Sequence, residues 1–278
     1  MKVPIVVNQL SISKSDVPLG PYPSLGFVPV SEAELGNGDY YGLYWPLGME
    51  DSEPMVCDML HDEWALKPSF SSVQKFIEWL ALNDWERGEE EIEDEELSSA
   101  LFFKAKALYA GSNVDSAIVL LKQACNNFPE ASEYWFALSS QLRRVGKLEE
   151  SANAALNAFH SNWVFGRPVQ GVLRTLQQAQ NVEILGDDPL MQRIESLSLD
   201  FGGTKENPAY PIMYECVQEY FNNGQVIKGL MLYQNYAYMM YSETGSFQER
   251  YGFELQKWQS EYSKLCLKYL GDNRIYGS

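Results

Sequence analysis

The stretch that decides the fold runs from Ser98 to Trp163: SSALFFKAKALYAGSNVDSAIVLLKQACNNFPEA over residues 98–131, then SEYWFALSSQLRRVGKLEESANAALNAFHSNW over residues 132–163. With Ser98 set over Ser132, the small and apolar positions fall into register at an offset of 34 residues. Leu101 then matches Trp135, Ala105 matches Ser139 and Leu108 matches Leu142, while Ala117 matches Ser151, Leu121 matches Ala155 and Ala124 matches Ala158. Each unit reads as two amphipathic helices joined by a polar turn, Gly111-Ser112-Asn113 in the first and Gly146-Lys147 in the second. Small residues stand where the two helices of a unit would touch, and Pro129 follows the second helix of the first unit.

That period and arrangement of small and large residues resemble the tetratricopeptide repeat. The resemblance covers about a quarter of the chain. It implies binding and not chemistry, because in that family the first helix of each unit lines a concave groove. In that register Phe102, Lys106, Tyr109, Glu133, Phe136, Ser140, Arg143 and Arg144 face inward, and Arg143 with Arg144 would accept an acidic peptide. Further on, Val169, Val172, Leu173 and Leu176 keep helical spacing and suggest a third, degenerate unit. Breaks at Gly186–Pro189 and Gly202–Pro208 precede another hairpin pattern from Tyr210 to Tyr238, turning at Gly224. A last helix around Phe253 to Leu270 would cap the array. The tyrosines 233, 236, 238 and 241 read as helix packing.

Upstream, residues 1–35 are rich in Pro and Gly and read as extended segments joined by turns. Gly36-Asn37-Gly38-Asp39 is a turn signal, and Tyr40 to Trp45 behind it favours a strand. Pro54 to Leu60 reads as the returning strand. Ser71 with Gln74 forms a capping-box pattern, opening a helix with Val73, Phe76, Ile77 and Leu80 on one face. Glu89 to Glu96 carries seven acidic residues in eight positions and reads as a solvated boundary. The expected organisation is α+β: a small unit over 1–85, an acidic linker over 86–97, and a helical repeat domain over 98–278.

The Gly-rich turn into an aromatic strand (Gly38-Asp39-Tyr40), a second strand, and the segment from Pro68 to Leu80 with its closing Phe76-Ile77-Glu78-Trp79-Leu80 resemble the C-terminal half of a SUKH domain. This covers about 50 residues. The SUKH superfamily is dominated by immunity proteins that neutralise bacterial toxins, so the resemblance implies a toxin partner.

Composition narrows the partner. Lys and Arg total 21 against 38 Asp and Glu, a net charge of −17. Such a surface repels nucleic acid and anionic membranes and steers basic proteins. The 45% apolar content suits a folded domain, and no apolar run is long enough for a membrane helix. The apolar run Val3 to Val7, broken by Pro4, is too short for a secretion signal. Four widely spaced cysteines, 57, 125, 216 and 266, read as buried thiols in a reducing cytoplasm.

Catalytic groups are scarce. There are two histidines, His61 and His160, the first expected at the surface and the second at a helix C-terminus, interacting with its dipole. Neither Gly36-x-Gly38 nor Gly202-Gly203-Thr204-Lys205 has phosphate-loop spacing, and the signatures of hydrolases, metalloproteases and calcium loops are missing. The expectation is a non-enzyme with no cofactor and no metal. On the N-terminal unit, Asp39, Tyr41, Tyr44, Trp45, Glu50, Asp51, Asp58, Asp62, Glu63 and Trp64 are the candidate partner-binding residues, since aromatics beside carboxylates suit a hot spot for a basic protein. Two functions follow as expectations. One is a cytoplasmic immunity protein that occludes the active site of a basic toxin domain. The other is a tetratricopeptide scaffold that binds a peptide in its groove.

Overall fold

The computed structural model describes residues 9–13, 21–179, 185–203 and 206–271. The fold is α+β, with one small antiparallel sheet ahead of a long run of helices. Four strands, β1 (Phe27–Pro29), β2 (Tyr40–Tyr44), β3 (Met55–Leu60) and β4 (Ala65–Phe70), form a meander in chain order. The register pairs Phe27 with Tyr44, Tyr44 with Met55 and Leu60 with Ala65, with a bulge at Val56/Cys57.

Side chains alternate across a strand, and here both alternating sets are buried. Val28, Leu43, Val56 and Phe70 point toward helix α1 (Val73–Leu82) and pack on Phe76, Trp79 and Leu80. Phe27, Tyr44, Cys57 and Leu66 point the other way, into a core shared with Leu101, Phe102, Phe128, Tyr134 and Val164 from the helical part. The sheet is thus a middle layer with no face in water.

The helical part begins with two hairpins. Helix α2 (Ser98–Ala110) packs on α3 (Val114–Asn127), and α4 (Ser132–Arg144) packs on α5 (Leu148–His160), with α3 against α4. The first helices start 34 residues apart, as do the second ones, at the spacing read from the sequence. In the turns, Gly146 has φ +76°, and the matching residue of the first hairpin, Ser112, has φ +68°. At the close approach of α2 and α3 stand Ala105 and Ala117, both fully buried. At the same place between α4 and α5, Ser139 and Ser151 each donate to the other's carbonyl at 2.8 Å.

Helix α6 (Gln170–Gln178) packs on α5, and a 3-10 turn at Met191–Ser196 packs on α6 where a second helix of a third unit was expected. Then come the hairpin α7 (Ala209–Asn222) and α8 (Val226–Tyr241), turning at Gly224 with φ +73°, a short α9 (Gly245–Arg250), and α10 (Leu255–Leu270) against α8. All four cysteines are free and buried. No helix among the described residues is long and apolar enough to cross a membrane.

The acidic segment is a strap and not a free linker. The Asp94 carboxylate accepts from the Ser71 amide at 2.7 Å and the Ser71 hydroxyl at 2.6 Å, and Lys75 donates to the Glu93 carbonyl. The Asn83 amide bonds Glu90 in both directions, and Ile92 packs on the α1 core. Ser71 is therefore occupied, and the cap of α1 is Ser72, which accepts from the Lys75 amide at 3.2 Å.

Candidate partner-binding cleft

Burial removes several of the expected binding residues from the surface. Tyr41, Tyr44 and Trp45 are all buried, because α1 covers one face of the sheet and the helical hairpins cover the other. Tyr41 lies under the Arg87 guanidinium, 4.3 Å from the ring centre, and the same arginine is 2.6 Å from Asp58. Burial raises the Asp58 pKa, with Arg87 opposing, so this carboxylate already has its cation. Phe102 is buried against Tyr134, ring centres 4.9 Å apart. Half-buried Phe136 lies on α6, where a Cβ at Gly171 would come within 2.5 Å of its ring. Tyr109 is half-buried as well. Arg143, Arg144, Asp51, Asp62 and Glu63 are exposed, while Glu50 is half-buried with its carboxylate on the Gly48 amide.

Asp39 and His61 form a surface ion pair at 2.8 Å, and Asp62 takes the other imidazole nitrogen at 3.0 Å. The bond to Asp39 raises the His61 pKa. Slight burial alone would raise that of Asp39, but hydrogen bonds from His61 and Asn37 hold it below the usual range. With a carboxylate on each ring nitrogen, His61 is favoured in its protonated form, as the cation of this surface group.

His160 departs from its expected role. It ends α5, but its ring is buried, with Nε2 2.8 Å from the Tyr220 hydroxyl and Nδ1 without a partner among the described residues. Tyr220 donates to Asp188 at 2.6 Å, and Lys228 donates to the other oxygen at 2.7 Å. With the tyrosine proton committed to Asp188, the imidazole carries its hydrogen on Nε2. Burial pushes its pKa down to about 4, so it is neutral and adds nothing to the helix dipole. A second buried group is Glu130, whose carboxylate accepts from the Tyr44 hydroxyl and the Leu47 amide at 2.5 Å each and from the Asn162 amide at 3.0 Å. It fastens β2 and the loop behind it to the end of the second hairpin.

What remains open lies where the sheet meets the helices. The turn between β3 and β4 presents Trp64, which stays 38% exposed although its ring is stacked between Tyr22 at 5.5 Å and Tyr241 at 5.2 Å. Its φ is +52°, an unfavourable conformation for a bulky residue. The hydroxyl of Tyr238 on α8 donates to its carbonyl at 2.7 Å and helps hold that conformation. Below this lip opens a pocket of ≈ 470 Å³ walled by Glu63, Trp64, Trp163, Arg167, Tyr238 and Met239. A second pocket of ≈ 630 Å³, with Val169, Gln170, Asp200 and Phe201, shares Trp163 and Arg167 with it. The two adjoin at exposed Arg167 and buried Trp163, so they make one cleft whose accessible rings are Trp64, Tyr238 and Phe201.

Arg167 is exposed and forms no ion pair among the described residues, in a chain with nearly two acids per base. Glu63, at the lip, is paired with Lys67 at 2.6 Å, and Asp200 accepts from Ser198 at 2.8 Å. A guanidinium among aromatic faces can take a carboxylate in a two-point hydrogen bond while the rings take apolar groups. Of the sequence-derived candidates, Glu63 and Trp64 belong to this cleft. Trp163, Arg167, Phe201 and Tyr238 were not among them; the one signal was Trp163, closing the repeat stretch.

Residues 12–89 match the family model of the YfbP N-terminal domain, and residues 200–276 match that of the YfbP C-terminal domain. The chain is also 46% identical over 259 residues to "Uncharacterized protein YfbP" of Escherichia coli (strain K12), covering 92% of each protein. The cleft draws Glu63 and Trp64 from the first matched region, Phe201 and Tyr238 from the second, and Trp163 and Arg167 from the connection between α5 and α6.

Proposed function

The chain belongs to the YfbP family, and from that premise we propose that it is a non-enzymatic, cytoplasmic protein-binding member, taking an extended segment of a partner in the cleft at Arg167. The observation that carries this reading is exposed Arg167, without an ion pair among the described residues, lining one pocket with Trp64 and Tyr238. The fitting segment has an aromatic or aliphatic side chain beside a carboxylate, on a side chain or at a free C-terminus. Helical hairpins at 34-residue spacing, read as tetratricopeptide-like, suit this as a rigid support for the cleft. Four buried, unbridged thiols favour a reducing compartment.

A second reading, capture of a basic toxin domain, is favoured by the net charge of −17 and by the exposed Asp62 and Glu63 next to Trp64. It is weakened by the burial of Tyr41, Tyr44 and Trp45, which leaves Trp64 as the one exposed ring of the four aromatic candidates where a hot spot needs several.

Selection from a displayed peptide library on the full chain separates them. The cleft reading expects enriched peptides with a carboxylate beside an apolar residue, and at least about a tenfold loss of affinity in Arg167→Glu. Selection of basic sequences, whose association slows steeply with salt and which ignore Arg167→Glu but not Asp62→Asn with Glu63→Gln, favours the toxin reading. No enrichment at all would sink both.

A further inference from the structure

Away from the cleft, α7, α8 and α10 leave another cavity, of ≈ 290 Å³. Tyr214 of α7, Tyr233 and Tyr236 of α8, Phe253 in the turn before α10, and Trp258 of α10 wall it. The rings touch one another at an angle: Tyr214 to Tyr236 at 5.8 Å and 52°, Tyr214 to Tyr233 at 6.1 Å and 67°, Tyr233 to Trp258 at 5.9 Å and 66°, and Tyr236 to Phe253 at 6.2 Å and 70°. Tyr233 and Tyr236 stack on each other at 6.2 Å and 28° and, with Phe253 and Trp258, are buried in the wall, while Tyr214 at the rim stays 43% exposed and closes the box on its open side.

The polar part of the wall is mostly anionic. Glu254 and Glu261 line the cavity, and the Tyr233 hydroxyl donates to Glu261 at 3.0 Å, fixing that carboxylate at the wall. The single cation there, exposed Lys257, forms no ion pair among the described residues and lies over no ring. Two carboxylates and one ammonium leave the box with a net negative charge, inside a strongly acidic molecule.

We propose that this box binds an organic cation of the methylated-ammonium class. Aromatic faces attract such a cation through their quadrupoles, and its methyl groups need no hydrogen-bond partners, so it loses little on leaving water. The carboxylates add long-range attraction. The volume sits at the lower end of ligand pockets, about 300 Å³, and suits a headgroup. The same headgroup occurs on free small molecules such as choline and on a trimethylated lysine of a protein.

Calorimetry on the full chain tests this with four probes: tetramethylammonium, choline, a short trimethyl-lysine peptide, and 3,3-dimethylbutan-1-ol, the uncharged isostere of choline. The expected result is binding of the cations at least about fivefold tighter than the isostere. Tyr214→Ala and Glu261→Gln should weaken the cations, and Lys257→Gln should tighten them. Tyr214 and Lys257 are exposed enough for these variants to keep the fold, which circular dichroism checks. Arg167→Glu should change nothing here, so failure of the cleft reading and failure of this one are distinguishable. A peptide stronger than choline assigns the box to a methylated protein, and the reverse assigns it to a free metabolite. Equal affinity for choline and its isostere, absence of cation binding, or binding indifferent to Tyr214→Ala and Lys257→Gln would overturn the proposal.

Discussion

At His160 the chain holds a base where it cannot take up a proton. Its pKa is pushed down to about 4 by burial, while the unfolded chain keeps a value near 6.5. Between those two values the unfolded state binds more protons, so stability falls as pH falls through that window and is fully present above it. The loss attributable to this one residue is on the order of 2–3 kcal/mol from pH 6.5 to 4. Urea unfolding at a series of pH values, comparing the chain with His160→Gln, should give a flatter profile for the variant in that range. Parallel profiles would mean that the ring is protonated in the folded state. The Tyr220–Asp188–Lys228 chain beyond it resembles a proton relay on paper, yet Tyr220 is fully buried. Its work is to hold α5, α7 and α8 together. Trp64 is the opposite case, a residue in an unfavourable backbone conformation at the lip of an open cleft, which is where such conformations tend to serve binding.

The two helical hairpins solve one packing problem in two ways. Ala105 meets Ala117 in the first, while Ser139 and Ser151 lock in the second with reciprocal hydrogen bonds. Replacing one serine by alanine removes the bond its hydroxyl donates and the 3.1 Å contact between the two hydroxyls, leaving the other serine's buried carbonyl without that donor. Ser139→Ala or Ser151→Ala should each cost about 1–2 kcal/mol. The double variant, which reproduces the first hairpin, should cost less than their sum, with a coupling of at least about 0.5 kcal/mol. Additive losses in chemical denaturation would show that the pair is not a unit. These hairpins, and that of α7 and α8, were legible in the sequence because helical periodicity and turn glycines are local signals. Strand β4 was not, since Lys67 and Pro68 break its pattern; Pro68 is tolerated because β4 is an edge of the sheet. Nor was the fate of Tyr41, Tyr44 and Trp45 legible. Alternation places half of a strand's side chains inside, and only the tertiary arrangement reveals that the other half is covered too. The cleft escaped for the same reason: its walls come from near residues 64, 163, 200 and 238, which no window of sequence brings together.

Across the whole molecule, the sheet and the first helices share one core, and Glu130 ties them through Tyr44, Leu47 and Asn162. A protein built so should not melt piecewise at that junction. Scanning calorimetry is expected to show the sheet and residues 98–165 unfolding in one transition, and hydrogen exchange should report similar protection for β3 and α4. A separate early melting of the sheet would contradict the shared core. The arrangement also bears on how the chain is made. The meander leaves the ribosome before the helices, yet the face that carries Phe27, Tyr44, Cys57 and Leu66 waits for Phe128, Tyr134 and Val164. The 95 residues from Phe70 to Phe165 take roughly 5–20 s to translate at about 5–20 residues per second. For that interval the nascent chain carries a sticky, half-dressed sheet. Its yield in the cell therefore depends on what shields that face during synthesis, a trigger-type holdase or a slow-diffusing polysome neighbourhood, as much as on the stability of the finished molecule.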